Sequence, residues 1–288
     1  MTRRAPQRIL RRVARISAVG ALVVAAALPA AGHARAADTP TMTARVLLQG
    51  HARLGSWIAI EVHLVNSGPS ISGEIRLQGG SQGGTRYATA VQLDSPSDKT
   101  WILHAQPPTF GQQLEVVLAS GNAILLRQKV AVVIHDPGQL TVGVIAESGP
   151  RIVGSLNLPA VQNQQPAVII PLTVADLPTR IQAWSALDRL VWQDVDASTL
   201  TNEQLAAMRG WLALGGRLVI VGGTAGIGSL GGFPEDLLPY RPSSTIDVAP
   251  ESLASLLGTR PAGAKDVPAM AGELIRGRVL AASNDRVV

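Results

Sequence analysis

Three groups of residues in this sequence have the types and spacing that chemistry requires. Gly222-Gly223-Thr224-Ala225-Gly226 follows an apolar run and has the G-x-nucleophile-x-G spacing of an elbow that lifts a catalytic side chain off a strand end. Thr224 would be the nucleophile, and its hydroxyl needs a base within hydrogen-bond reach. No histidine follows His135, so the bases in this half are carboxylates, Lys265 and arginines. Asp194 and Asp196 form the second group. Two carboxylates at the end of a strand can hold a divalent cation, and acids just ahead of a helix also stabilise its N-terminal dipole. The third group is His51, His63, His104 and His135, which are scattered without a close metal-ligand spacing and read as surface or strand-edge residues.

The glycines of 222–226 admit two other readings. A phosphate-binding P-loop needs Gly-Lys-Ser/Thr, and a dinucleotide fingerprint needs G-x-G-x-x-G after the first strand. Here Gly223, Gly226 and Gly228 have a different order, and no lysine stands directly after them. The remaining reading is a sharp exit from a buried strand, where glycine permits a tight turn and close packing. On this basis no catalytic, cofactor-binding or metal residue is assigned, and no cofactor is expected. Thr224 and the pair Asp194/Asp196 stand as the candidates for chemistry.

The elements that would position these groups lie after Asp136-Pro137-Gly138, where the hydrophobic periodicity changes. Leu140–Ala146 is a short apolar run without a polar face, as expected of a strand buried on both sides, Ala167–Leu172 and Leu187–Trp192 read as further strands, and Arg217–Val221 as another buried one. Between the last two, Thr201 and Gln204 make a capping box, with Leu200 and Leu205 placed for a hydrophobic staple. Leu205, Met208 and Leu212 share a helical face, and Gly215 ends the helix. Strand, helix and strand predict a βαβ unit and a parallel sheet. A strand near Thr245–Val248 and a helix over Glu251–Leu257 extend the pattern, and 278–288 reads as the first arm of a hairpin.

The stretch Leu-Asp-Arg-Leu-Val-Trp-Gln-Asp-Val-Asp at 187–196, with the capped helix and Gly-Gly-Arg-Leu-Val-Ile-Val-Gly-Gly ending at 223, resembles the class I glutamine amidotransferase-like superfamily. It is most similar to the non-catalytic branch in exported or membrane-anchored bacterial proteins. The resemblance implies a flavodoxin-like α/β domain over 140–288, incomplete at its C-terminus, with 222–226 at the nucleophile elbow. Catalytic members of that superfamily carry a Cys there and a later His; this sequence has Thr224 and no later His. Related exported proteins continue into a membrane anchor, which implies that this chain is part of a longer product.

The first half reads differently. In Trp57–Val65, Ile58, Ile60, Val62 and Leu64 alternate onto one face, and Asn66-Ser67-Gly68-Pro69 breaks the run. Similar runs recur to His135, giving about seven short strands, the pattern of an Ig-like β-sandwich over 41–136. Leu64–Glu74 also resembles bacterial extracytoplasmic Ig-like modules.

Residues 1–36 are basic, then apolar over Ile16–Leu28, then small up to Ala34-Arg35-Ala36, the order of a secretory signal peptide. An uncleaved short anchor is the alternative. Seven arginines precede the first acid, Asp38, so removing 1–36 takes the net charge from +5 to −2. That balance gives no basic face for nucleic acid. There is no cysteine, so disulfides, thiolate metal sites and cysteine nucleophiles are excluded. The expected function is a non-catalytic interaction or scaffold protein of the bacterial cell envelope with protein partners. Membrane association would come through the leader or a segment beyond 288. An exported hydrolase or amidase using Thr224 or an Asp194/Asp196 metal site is the alternative.

Overall fold

The computed structural model describes residues 39–78, 85–107, 112–147, 165–222, 226–251, 254, 265–279, 282–283 and 286–287. The leader over 1–36 lies outside them. Residues Asp38–Val288 form one compact unit.

The first half is a β-sandwich. Strands β1 (Thr41–Val46), β2 (His51–Arg53), β3 (Ile58–Asn66), β4 (Ile71–Gln78), β5 (Ala88–Leu93), β6 (Ser97–Ala105), β7 (Gln113–Ser120), β8 (Ala123–Ala131) and β9 (Val133–His135) make two antiparallel sheets and one small parallel pair. One sheet has the order β1-β3-β6, the other β5-β4-β7-β8, and β2 pairs with β9. This arrangement has the expected Ig-like character. Ile58, Ile60, Val62 and Leu64 enter the core between the sheets, where they meet Ile75, Leu93, Leu103, Val116 and Leu118. Alternation therefore reads correctly, because one face of each strand must leave water. At the end of β3, the Asn66 amide donates to the carbonyls of Pro69 and Asp94 and accepts from Gly68 N–H, so this side chain fixes the turn.

The second half starts with four parallel strands, β10 (Thr141–Ala146), β11 (Val168–Leu172), β12 (Arg189–Gln193) and β13 (Arg217–Val221), in the order β11-β10-β12-β13. Helix α1 (Asn202–Ala213) crosses from β12 to β13, as the capping box and periodicity predict. Thr201 Oγ1 accepts from Gln204 N–H at 3.1 Å, and Gln204 Oε1 accepts from Thr201 N–H at 3.0 Å. Met208 and Trp211 turn inward against Trp184, Leu190 and Trp192. Pro171 sits in the edge strand β11, where its missing N–H breaks no central ladder.

The expected flavodoxin-like α/β domain over 140–288 is not what this region forms. Strand outweighs helix in its described part, and between β11 and β12 the chain makes 3₁₀ turns at Val174–Asp176 and Ile181–Ala186 instead of a crossover helix. Pro178 stands between these turns and cannot be continued through by a helix without losing a backbone bond. Asp176 closes a capping box with Thr173 at the start of the first turn, and the turn ends where Leu177, just ahead of Pro178, is extended. After the short helix α2 (Gly226–Leu230), the chain builds an antiparallel sheet, β14-β15-β17-β16, from β14 (Tyr240–Val248), β15 (Val267–Leu274), β16 (Ala282–Ser283) and β17 (Arg286–Val287). The stretch from β12 to β13 is thus a local strand–helix–strand unit in a predominantly β chain. The segment 278–288, expected as the first arm of a hairpin, instead contains both arms of one, β16 and β17. Most of the expected helix at 251–257 lies outside the described residues. Among those described, no helix is long and apolar enough to cross a membrane.

The sandwich packs directly on the parallel sheet. Leu48 leaves the sandwich with a left-handed backbone, φ 54°, and enters the core of the second half, where it is 2 % exposed. Arg45 pairs with Asp176, and Gln49 Nε2 donates to the same carboxylate at 2.9 Å. Arg53 meets Asp188 through both terminal nitrogens, at 3.1 and 2.7 Å. Burial alone would raise both carboxyls, but hydrogen bonds outweigh it and hold them below the ordinary carboxylate value. Those bonds come chiefly from Thr173, Gln49 and Arg45 at Asp176, and from Arg53 and Thr141 at Asp188.

Candidate functional site

Asp194 and Asp196 follow the end of parallel strand β12, on the edge at which open sheets most often bind ligands. Strand β12 is pinned there by Trp192, whose Nε1 donates to the Val195 carbonyl at 2.7 Å. The chain bends at Asp194, which has φ 54°. Aspartate is one of the few side chains that tolerate this region. Gln193 Nε2 donates to Asp194 Oδ2 at 3.2 Å, while Oδ1 is buried without a hydrogen-bond partner among the described residues.

Asp196 does a different job. It caps the 3₁₀ turn Ala197–Thr199, accepting from Ser198 N–H at 2.9 Å and from the Ser198 hydroxyl at 2.7 Å. Those two bonds hold its carboxyl below the ordinary value. The two aspartates therefore face separate local partners, and the helix-leading acid serves backbone geometry. Among the described residues, no three His, Asp or Glu side chains converge as metal ligands.

Thr224 lies outside the described residues, together with Gly223 and Ala225. The glycines on either side of it are described. A Cβ on Gly222 would come within 2.8 Å of Met270 Cε, and one on Gly226 would collide with Met270 Sδ. Met270 is a core residue of β15 and packs with Leu230, Phe233 and Leu238. Gly222 and Gly226 are thus explained by the close approach of the strand exit to a packed methionine. This is a packing role for the glycine spacing that also suggested an elbow.

Sequence reasoning missed a histidine pair. His51 Nδ1 and His135 Nε2 lie 2.7 Å apart, with stacked rings whose centroids are 5.0 Å apart. His135 Nδ1 is 3.1 Å from Gln139 Oε1, so it donates there and its Nε2 accepts from His51 Nδ1–H. Burial first, and His135 second, push His51 down to about 4. The residues are 84 positions apart, so no local spacing could reveal them. The pairing of β2 with β9 brings them together.

A family model for a domain of unknown function, DUF8726, matches residues 39–133, the sandwich. No curated protein sequence matches the chain. Among solved structures, the chain is similar to a β-glucosidase from Listeria innocua at 13 % identity and TM-score 0.24, over 34 % of this chain and 16 % of the glucosidase. It is similar to the CARDB domain of a Pyrococcus furiosus protein at 19 % identity and TM-score 0.23, over 33 % of this chain and 96 % of that domain. It is also similar to an immunoglobulin-like protein from Pseudomonas aeruginosa at 14 % identity and TM-score 0.21, over 34 % of this chain and 99 % of that one.

Proposed function

We propose that this chain is an exported, non-catalytic interaction module of the bacterial cell envelope, binding protein partners and held near the membrane when its leader is retained. The observation that carries the non-catalytic part is the packing of Gly222 and Gly226 on Met270, which accounts for the elbow-like spacing without a nucleophile. Asp196, engaged with Ser198 as a turn cap, supports the same reading. The basic–apolar–small order of residues 1–36 supports export. The near-neutral charge of the remainder fits protein partners better than nucleic acid.

Expression of the full chain, fractionation of the cells and mass spectrometry of the N-terminus test the export reading, with a mature start near Ala36 as the expected result. An intact Met1 on cytoplasmic protein contradicts it. A screen against ester and amide substrates tests the rest: no turnover is expected, and turnover abolished by Thr224→Ala would make the elbow an active site.

A further inference from the structure

The opposite edge of the parallel sheet, where β12 and β13 begin, opens into a cavity of about 690 Å³. That is an ordinary volume for a small-molecule site. Arg53, Asp188, Arg189 and Arg217 line it, together with Leu214 and Gly215 at the end of α1. Arg53 and Asp188 neutralise each other in a two-pronged pair. Arg189 and Arg217 are direct neighbours in the parallel register. Neither guanidinium has a hydrogen-bond or ion-pair partner among the described residues. Three arginines against one aspartate leave the lining with two positive charges in excess.

Two like charges on adjacent strands repel, and water screens them only in part within a cleft. A bound oxyanion relieves that repulsion and matches the planar donor forks of the two guanidinium groups. The other wall has the opposite character. At the end of α1 the carbonyls of Gly210, Trp211 and Leu212 already accept from the N–H groups of 214–216, whereas that of Leu214, in the lining, accepts none among the described residues. It carries the partial negative charge of a helix end, so the cavity offers donors at the strand starts and an acceptor that disfavours anions at the helix end.

We infer that this cavity binds an oxyanion-bearing carbohydrate, with the carboxylate or phosphate on Arg189 and Arg217 and hydroxyls donating to the end of α1. The site is distinct from the protein-binding role proposed above and does not depend on it. Isothermal titration of the full chain with D-glucuronate, D-glucose 6-phosphate and D-glucose tests it. Binding of either acidic sugar, with neutral glucose failing to bind, supports the inference, and the two acidic probes separate a carboxylate from a phosphate source. Arg217→Gln should weaken the acidic sugar by about ten-fold or more, the loss of a charged hydrogen bond. Arg217 is exposed, so the variant should keep its fold, and an unchanged melting curve checks this. Failure of both acidic sugars to bind the wild-type chain overturns the inference. So does equal binding of glucose, or binding unaffected by Arg217→Gln.

Discussion

The two edges of the parallel sheet use their polar residues in opposite ways. At the carboxyl edge, Asp196 caps a turn, Gly222 and Gly226 make room for Met270, and Thr201 and Gln204 close the start of α1. Residues with catalytic spacing are consumed there by backbone geometry. At the amino edge, Arg189 and Arg217 stand side by side without partners among the described residues, and no familiar motif marks them. Motif spacing draws attention to the first edge; unmatched charge draws it to the second. The sandwich touches this sheet through both Asp176, just past β11, and Asp188, just ahead of β12. Its docking therefore fixes the frame in which the two edges differ.

The largest test of that frame is Asp176→Ala. It removes a buried carboxylate that Thr173, Gln49 and Arg45 all contact, and it should cost about 3 kcal/mol, the order seen when one partner of a buried pair is lost. Urea denaturation would measure this; a loss near zero would mean that the sandwich and sheet are not coupled there. Next is Gly226→Val, which forces a branched side chain into Met270 and should destabilise by about 2 kcal/mol through overpacking. A neutral result would return the glycine spacing to the elbow reading. Thr201→Ala removes one bond of the capping box and should cost about 1 kcal/mol in the same assay.

Acidification separates the histidine junction from the carboxylates. His51 favours its neutral form in the fold, at about 4 against roughly 6.5 when unfolded, so its contribution is complete above about pH 6.5 and is lost on falling towards 4. Asp176 and Asp188 are depressed in the fold. Their stabilisation is present above the unfolded carboxylate value, about 4, and is lost below it. Denaturation midpoints should fall in two stages as pH drops. His51→Gln should shrink the first stage, to which His104, lowered first by burial and then by Arg180, also contributes, and leave the second.

Much of the architecture was legible in the sequence because it follows from local periodicity. The alternation in β3, the Asn66 turn and the capped helix α1 depend on residues within a few positions of one another. The error at 140–288 came from extending one good strand–helix–strand unit to a whole domain. Pro178, visible in the sequence, already opposed a second crossover helix by pushing Leu177 into an extended conformation. Other features are not local. The His51–His135 contact and the Arg45–Asp176 pair join positions far apart, and the Met270 contact explains Gly222 only after β15 is placed. Asp196 was legible as a cap, whereas the orphaned oxygen of Asp194 depends on burial that no spacing encodes.

The difference between the two edges can be read in one measurement, a backbone and arginine side-chain NMR titration of the labelled chain with D-glucuronate. The account predicts shifts concentrated at Arg189, at 214–217 and in the side-chain N–H signals of Arg189 and Arg217, with 194–196 and 222–226 unmoved. Shifts centred on 194–196 and 222–226, with the arginines silent, would contradict it and place the binding edge where the motifs first pointed.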